Sequence, residues 1–144
     1  MRQTVILGTS PPTVDEVIAV ARGNALIEIG AAALDAMAVS RAHVDTLAHQ
    51  KTPVYGISTG FGALANRHIP PENRVQLQKS LIRSHAAGSG NEVEREVVRA
   101  TMFLRLKTLT SGRTGVLPAS HTRLQLPTDS RRAHLQMRVR SSPI

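Results

Sequence analysis

One phenol and one imidazole, set among glycines and small residues, are the side chains of this sequence best placed to handle protons. Tyr55 is the only tyrosine and lies in Thr52-Pro53-Val54-Tyr55-Gly56-Ile57-Ser58-Thr59-Gly60-Phe61-Gly62. Three glycines in seven residues let backbone approach a ligand closely or take positive φ, at an entropic cost that a merely structural loop rarely needs. His85 follows in Arg83-Ser84-His85-Ala86-Ala87-Gly88. Phenol and imidazole can both act in general acid–base chemistry, but a tyrosine has an ordinary pKa of about 10. A basic role for Tyr55 therefore needs a lowered value or an oriented partner. The bland readings are a half-buried structural tyrosine and a histidine that interacts with a helix C-terminal dipole.

Other candidate sites carry less. Gly56, Gly60 and Gly62 lack the Lys-Ser/Thr and the strand–loop–helix context of a phosphate cradle. His43 and His49 are six apart, the wrong interval for one helical face, and His68 has no partner at metal-ligand spacing. No metal site is expected. With no cysteine there is no disulfide, thiolate ligand or cysteine nucleophile, which fits a reducing cytoplasm.

The elements that must position Tyr55 and His85 read as mainly helical, with short strands near the N-terminus. Thr4–Leu7 suits a strand. Thr13 and Glu16 form a capping box that opens a short helix, with Val14, Val17, Ile18 and Ala21 on one face. Residues 25–29 suit a second strand. An alanine-rich helix runs from Ala31 to about Gln50, with Leu34, Met37, Val44 and Leu47 at helical spacing. The glycine-rich loop follows, to about Arg67. Pro70-Pro71-Glu72 starts a helix carrying Val75, Leu77, Leu81 and Ile82 to Ser84-His85. A second capping signal at Asn91–Glu94 leads into the longest helix, with Val93, Val97, Val98, Met102, Leu104, Leu106 and Leu109, ending near Gly112.

At 144 residues the chain is about one domain long and carries a net charge of +8. Residues 117–144 hold five arginines against Asp129, which is +4 in 28 residues. The rest mixes both signs. No stretch approaches the roughly 20 apolar residues that span a bilayer, and the N-terminal apolar run is too short for a signal peptide. A soluble, cytoplasmic protein with no membrane partner is expected. With no aromatic residue after Phe103, base stacking cannot support nucleic-acid binding by the basic segment.

Taken together, Tyr55–Gly62, Leu77-Gln78-Lys79-Ser80-Leu81, Ser84-His85-Ala86-Ala87-Gly88-Ser89-Gly90, Val98-Arg99-Ala100 and Ser111-Gly112-Arg113-Thr114-Gly115-Val116 resemble the N-terminal region of the aromatic amino-acid ammonia-lyases. Ser84-His85 is similar to the histidine ammonia-lyases among them. The resemblance covers nearly all of residues 1–116 and none of 117–144, and implies the N-terminal part of the ammonia-lyase fold, with an incomplete helical bundle. It also implies a homotetrameric enzyme that eliminates ammonia from L-histidine to give trans-urocanate. Carried over, Tyr55 is the catalytic base or proton relay, and Ser84 and His85 contact the substrate. Gly56, Thr59, Gly60, Phe61 and Gly62 form an active-site loop.

The family uses a methylidene-imidazolone group made from Ala-Ser-Gly. That tripeptide is absent here, and Ala119-Ser120-His121 lacks its glycine. No cofactor is therefore expected in this chain, and none of its own catalysis when alone. Residues 117–144 lack the family pattern and any sustained apolar period, as an out-of-frame reading of a GC-rich gene would. A genuine basic disordered tail is the rival reading. The alternative function is a non-catalytic helical binding module with that basic tail, a partner of full-length lyase or a weak nucleic-acid binder.

Overall fold

A computed structural model describes residues 3–118 and 123–124. The elements are β1 (Thr4–Leu7), α1 (Val14–Ala21), β2 (Leu26–Ile29), α2 (Ala31–Ala48), α3 (Pro71–His85), α4 (Arg95–Leu109) and β3 (Arg123–Leu124), with a single 3-10 turn over Gly62–Leu64. The described residues fall into two units, one formed by residues up to 42 and from 92 onward, the other by residues 43–91. The boundary read at residue 116 is not marked by either unit, and residues 119–122 and 125–144 of the basic segment lie outside the described residues.

In the first unit β1 and β2 pair in parallel, Thr4 opposite Leu26 and Leu7 opposite Ile29, and β3 pairs antiparallel to β2. The period-2 alternation of a strand sends Val5, Leu7, Ile27 and Ile29 into the core and leaves Thr4 and Ile6 exposed. Thr13 caps α1 as its sequence implied: its hydroxyl accepts from Glu16 N–H, and the Glu16 carboxylate accepts from Thr13 N–H at 2.7 Å. The core joins Val5, Leu7, Val20, Ala25, Ile27 and Phe103, with Val17, Ala19, Met102 and Leu106 packed against it.

The stripe of α4 that enters this core is Arg99, Phe103 and Lys107, four residues apart. Two of these are cations, held by backbone oxygens. Arg99 Nη2 donates to Val20 O at 2.7 Å, and its Nε lies 3.1 and 3.2 Å from Val20 O and Ala21 O. The guanidinium so satisfies carbonyls that the end of α1 would otherwise leave unpaired, where positive charge also suits the helix dipole. Lys107 Nζ donates to Gly8 O. Burial pushes the ionisation of both below their ordinary values, and at Arg99 the neighbouring charge of Arg95 adds to this.

In the second unit the Arg74 side chain ties two loop ends together. Its Nε donates to Ile69 O at 3.1 Å and its Nη1 to Ala48 O at 3.2 Å. Pro71 sits in the first turn of α3, where a missing N–H costs nothing. No residue of α3 is buried.

Three expectations are corrected in detail. Among the described helices α2 is the longest, at 18 residues, and α4 has 15. The Asn91–Glu94 signal does not cap α4, which starts at Arg95 after Glu94 without a side-chain cap. On α1, Val14 and Ile18 are exposed while Val20 and Ala21 are buried, because the packed face runs through Val17, Val20 and Ala21.

Candidate functional site

The Tyr55 turn is built by two buried hydroxyls. Val54 O accepts N–H bonds from Ile57, Ser58 and Thr59 at 3.0–3.3 Å, closing a tight turn around Tyr55 and Gly56. Ser58 Oγ accepts from Val54 N–H at 2.9 Å, and Thr59 Oγ1 accepts from Gly56 N–H at 3.4 Å. Serine and threonine favour such local side chain-to-backbone bonds. Gly56 takes φ +72°, and a Cβ there would stand 3.2 Å from the Phe61 ring, so the turn needs glycine on both counts. At Gly60 a Cβ would fall 2.5 Å from Leu64 Cβ, closer than atoms can approach. Gly60 N–H donates to Arg67 O, and Ile69 N–H donates to Ser58 O at 2.9 Å, which fixes the back of the loop to the segment preceding α3.

These contacts leave the Tyr55 side chain 64% exposed, its ring edge-to-face with Phe61 at a centroid distance of 5.7 Å and an interplanar angle of 79°. Among the described residues its hydroxyl has no hydrogen-bond partner.

The C-terminal turn of α3 supplies the second half. Ser84 Oγ donates to Leu81 O at 2.9 Å, and His85 Nδ1 lies 2.9 Å from the same oxygen and 3.0 Å from Ser84 Oγ. A carbonyl only accepts, so this geometry puts the proton on Nδ1 and leaves Nε2 as the acceptor of the neutral ring. Tyr55, Phe61, Gly62, Leu81, Ile82, Ser84 and His85 line one open concavity of about 720 Å³.

Of the residues singled out from the sequence, Tyr55, Phe61, Gly62, Ser84 and His85 thus meet at one surface. Gly56, Thr59 and Gly60 do not line it. Thr59 and Gly60 are buried behind it, and all three shape the turn. Sequence reasoning left out Ser58, which is fully buried. Its signal was a hydroxyl residue inside a glycine-rich turn, the type that bonds neighbouring backbone. Among the described residues no group of acids, histidines and cysteines could hold a metal ion. No helix among them is long and apolar enough to cross a membrane.

The family model of the aromatic amino acid lyases matches residues 13–128. The chain belongs to that family. The match extends past the boundary read at residue 116. Over 115 residues this aromatic lyase chain is 62% identical to the histidine ammonia-lyase of Streptomyces griseus, covering 80% of the chain and 22% of that protein. It thus spans about a fifth of the length of the curated relatives it matches. Among solved structures it resembles the histidine ammonia-lyase of Trypanosoma cruzi (TM-score 0.70, 34% identity, 80% of this chain and 22% of that one). It also resembles ergothionase of Treponema denticola, described as an ergothioneine-degrading enzyme (TM-score 0.76, 27% identity, 80% and 23%). The aromatic lyase chain has the fold of the N-terminal region of these enzymes.

Proposed function

We propose that these residues belong to a histidine ammonia-lyase that converts L-histidine to trans-urocanate and ammonia, acting as a homotetramer, and that they supply one wall of its substrate site. The observation that carries the reading is the meeting of Tyr55 with Ser84-His85 at one concavity. The 62% identity to a histidine ammonia-lyase supports the choice of substrate.

In this reading His85 accepts the N–H of the substrate imidazole at Nε2, while Leu81 O and Ser84 Oγ hold its ring in that tautomer. Tyr55 handles the proton of the substrate's β-carbon at its phenol oxygen, and Phe61 limits the swing of that ring. Elimination releases the β-proton and the amine together and leaves the conjugated acid. To work as a base, the Tyr55 oxygen needs a partner to draw its proton away, which the substrate, or a group brought up beside it, would supply.

The prosthetic methylidene-imidazolone would activate the amine as an electrophile. The sequence contains no Ala-Ser-Gly from which to form it, and the lining offers hydroxyl, imidazole and apolar groups but no electrophile. The residues of this chain do not fit that group by themselves. Alone, the chain binds and orients substrate and does not turn it over.

Calorimetric titration with L-histidine and L-phenylalanine, paired with an assay for urocanate, tests the reading. We expect L-histidine to bind on the order of tenfold more tightly, as one additional hydrogen bond provides, with no urocanate released. Equal affinity for both amino acids, or none for either, would overturn it.

A further inference from the structure

Ser58 is not one of the residues that line the concavity, yet its hydroxyl and its N–H both engage the turn that carries Tyr55. Its Oγ accepts from Val54 N–H at 2.9 Å, its own N–H donates to Val54 O at 3.0 Å, and its carbonyl accepts from Ile69 N–H at 2.9 Å. The residue has no exposed surface. Tyr55 is the opposite case: an exposed ring with one aromatic neighbour and, among the described residues, no hydrogen bond to its hydroxyl. The direction of that phenol therefore depends on the peptide planes on either side of it.

We infer that Ser58 is the positioning residue for the Tyr55 phenol, and that it sets the phenol against His85. The inference rests on the reading of Tyr55 as the proton-handling group. Two bonds of Ser58 fix Val54, the residue before Tyr55. The third joins the turn to Ile69, two residues ahead of α3, whose last turn carries Ser84 and His85. Thr59 Oγ1 holds the Gly56 amide on the other flank at the longer distance of 3.4 Å, so it reinforces the Ser58 contacts without duplicating them. Without the Ser58 hydroxyl the partly buried Val54 amide loses its acceptor, and the turn gains by rotating that peptide toward water.

The sequence supplies its own probe, because the chain has one tyrosine and no tryptophan. Near-ultraviolet circular dichroism in the tyrosine band therefore reports the immobilisation of Tyr55 alone. In the intact chain we expect a clear tyrosine signal. In Ser58→Ala we expect it to fall toward that of a free tyrosine, with the far-ultraviolet helical signal unchanged. In Ser80→Ala, an exposed serine on α3, it should persist. A near-ultraviolet signal that survives Ser58→Ala would overturn the inference.

Amide hydrogen exchange of the unaltered chain covers the case in which Ser58→Ala does not fold. The Val54 amide should be protected and the Tyr55 amide fast, and a fast Val54 amide would equally overturn the inference. Both readouts are free of ligand. A failure to bind L-histidine would instead count against the reading of the site and leave the role of Ser58 standing.

Discussion

At the scale of single residues, the chemistry-bearing groups and the groups that hold them differ sharply in how visible they are in the sequence. Tyr55 and His85 stand out by type and by their glycine-rich neighbours. Arg99 and Lys107 do not, since charged residues on an amphipathic helix read as its wet face. They are buried because their long stems line the core while their heads reach backbone oxygens of α1 and of Gly8. Replacing Arg99 by Met should destabilise the first unit by about 2–3 kcal/mol in denaturant unfolding, because the Val20 and Ala21 carbonyls lose their donor. A loss near zero would mean that water takes the place of the guanidinium. In the second unit Gly60→Ala should disturb the Tyr55 turn through its clash with Leu64, visible as a changed tyrosine band.

At the scale of elements, the sequence located the four helices and the first two strands closely, because caps, prolines and apolar periods mark where a helix starts and which period it keeps. It did not say which face would be covered. Burial on α1 follows from where α4 and the sheet meet it, so Val20 is buried and Val14 is not. Phe103 was absent from the apolar stripe read on α4, yet it is the fully buried centre of that contact. Phe103→Ala should cost about 3–5 kcal/mol, the range for emptying a buried aromatic site.

The Arg22–Glu96 pair joins the end of α1 to the start of α4, with Nε 2.7 Å from the carboxylate. The hydrogen bond from Arg22, and then its charge, hold the Glu96 carboxyl below its ordinary value. The sign follows: the contribution of the pair is present above the unfolded carboxyl pKa of about 4.3 and is lost as pH falls through the lowered folded value. The stability difference between the unaltered chain and Glu96→Gln should therefore be small near neutrality, vanish in acid and shrink with added salt. A difference that persists in acid would assign the effect to something other than this charge pair.

At the scale of the whole molecule, the described residues hold one unit with a closed core and another whose α3 buries none of its residues. Ile82 is 65% exposed on that helix, and Leu81 and Ile82 belong to the wall of the concavity. The chain spans 22% of the length of its Streptomyces griseus relative, and the motifs that mark the family lie within that span. The most direct measurement follows the ring resonances of the single tyrosine, isotopically labelled, as L-histidine is added. We expect them to shift to saturation with L-histidine, to shift less with L-phenylalanine, and to stay unmoved by L-histidine in His85→Ala. Resonances that do not move with L-histidine, or that move equally in His85→Ala, would contradict a substrate wall made by Tyr55 and His85 together.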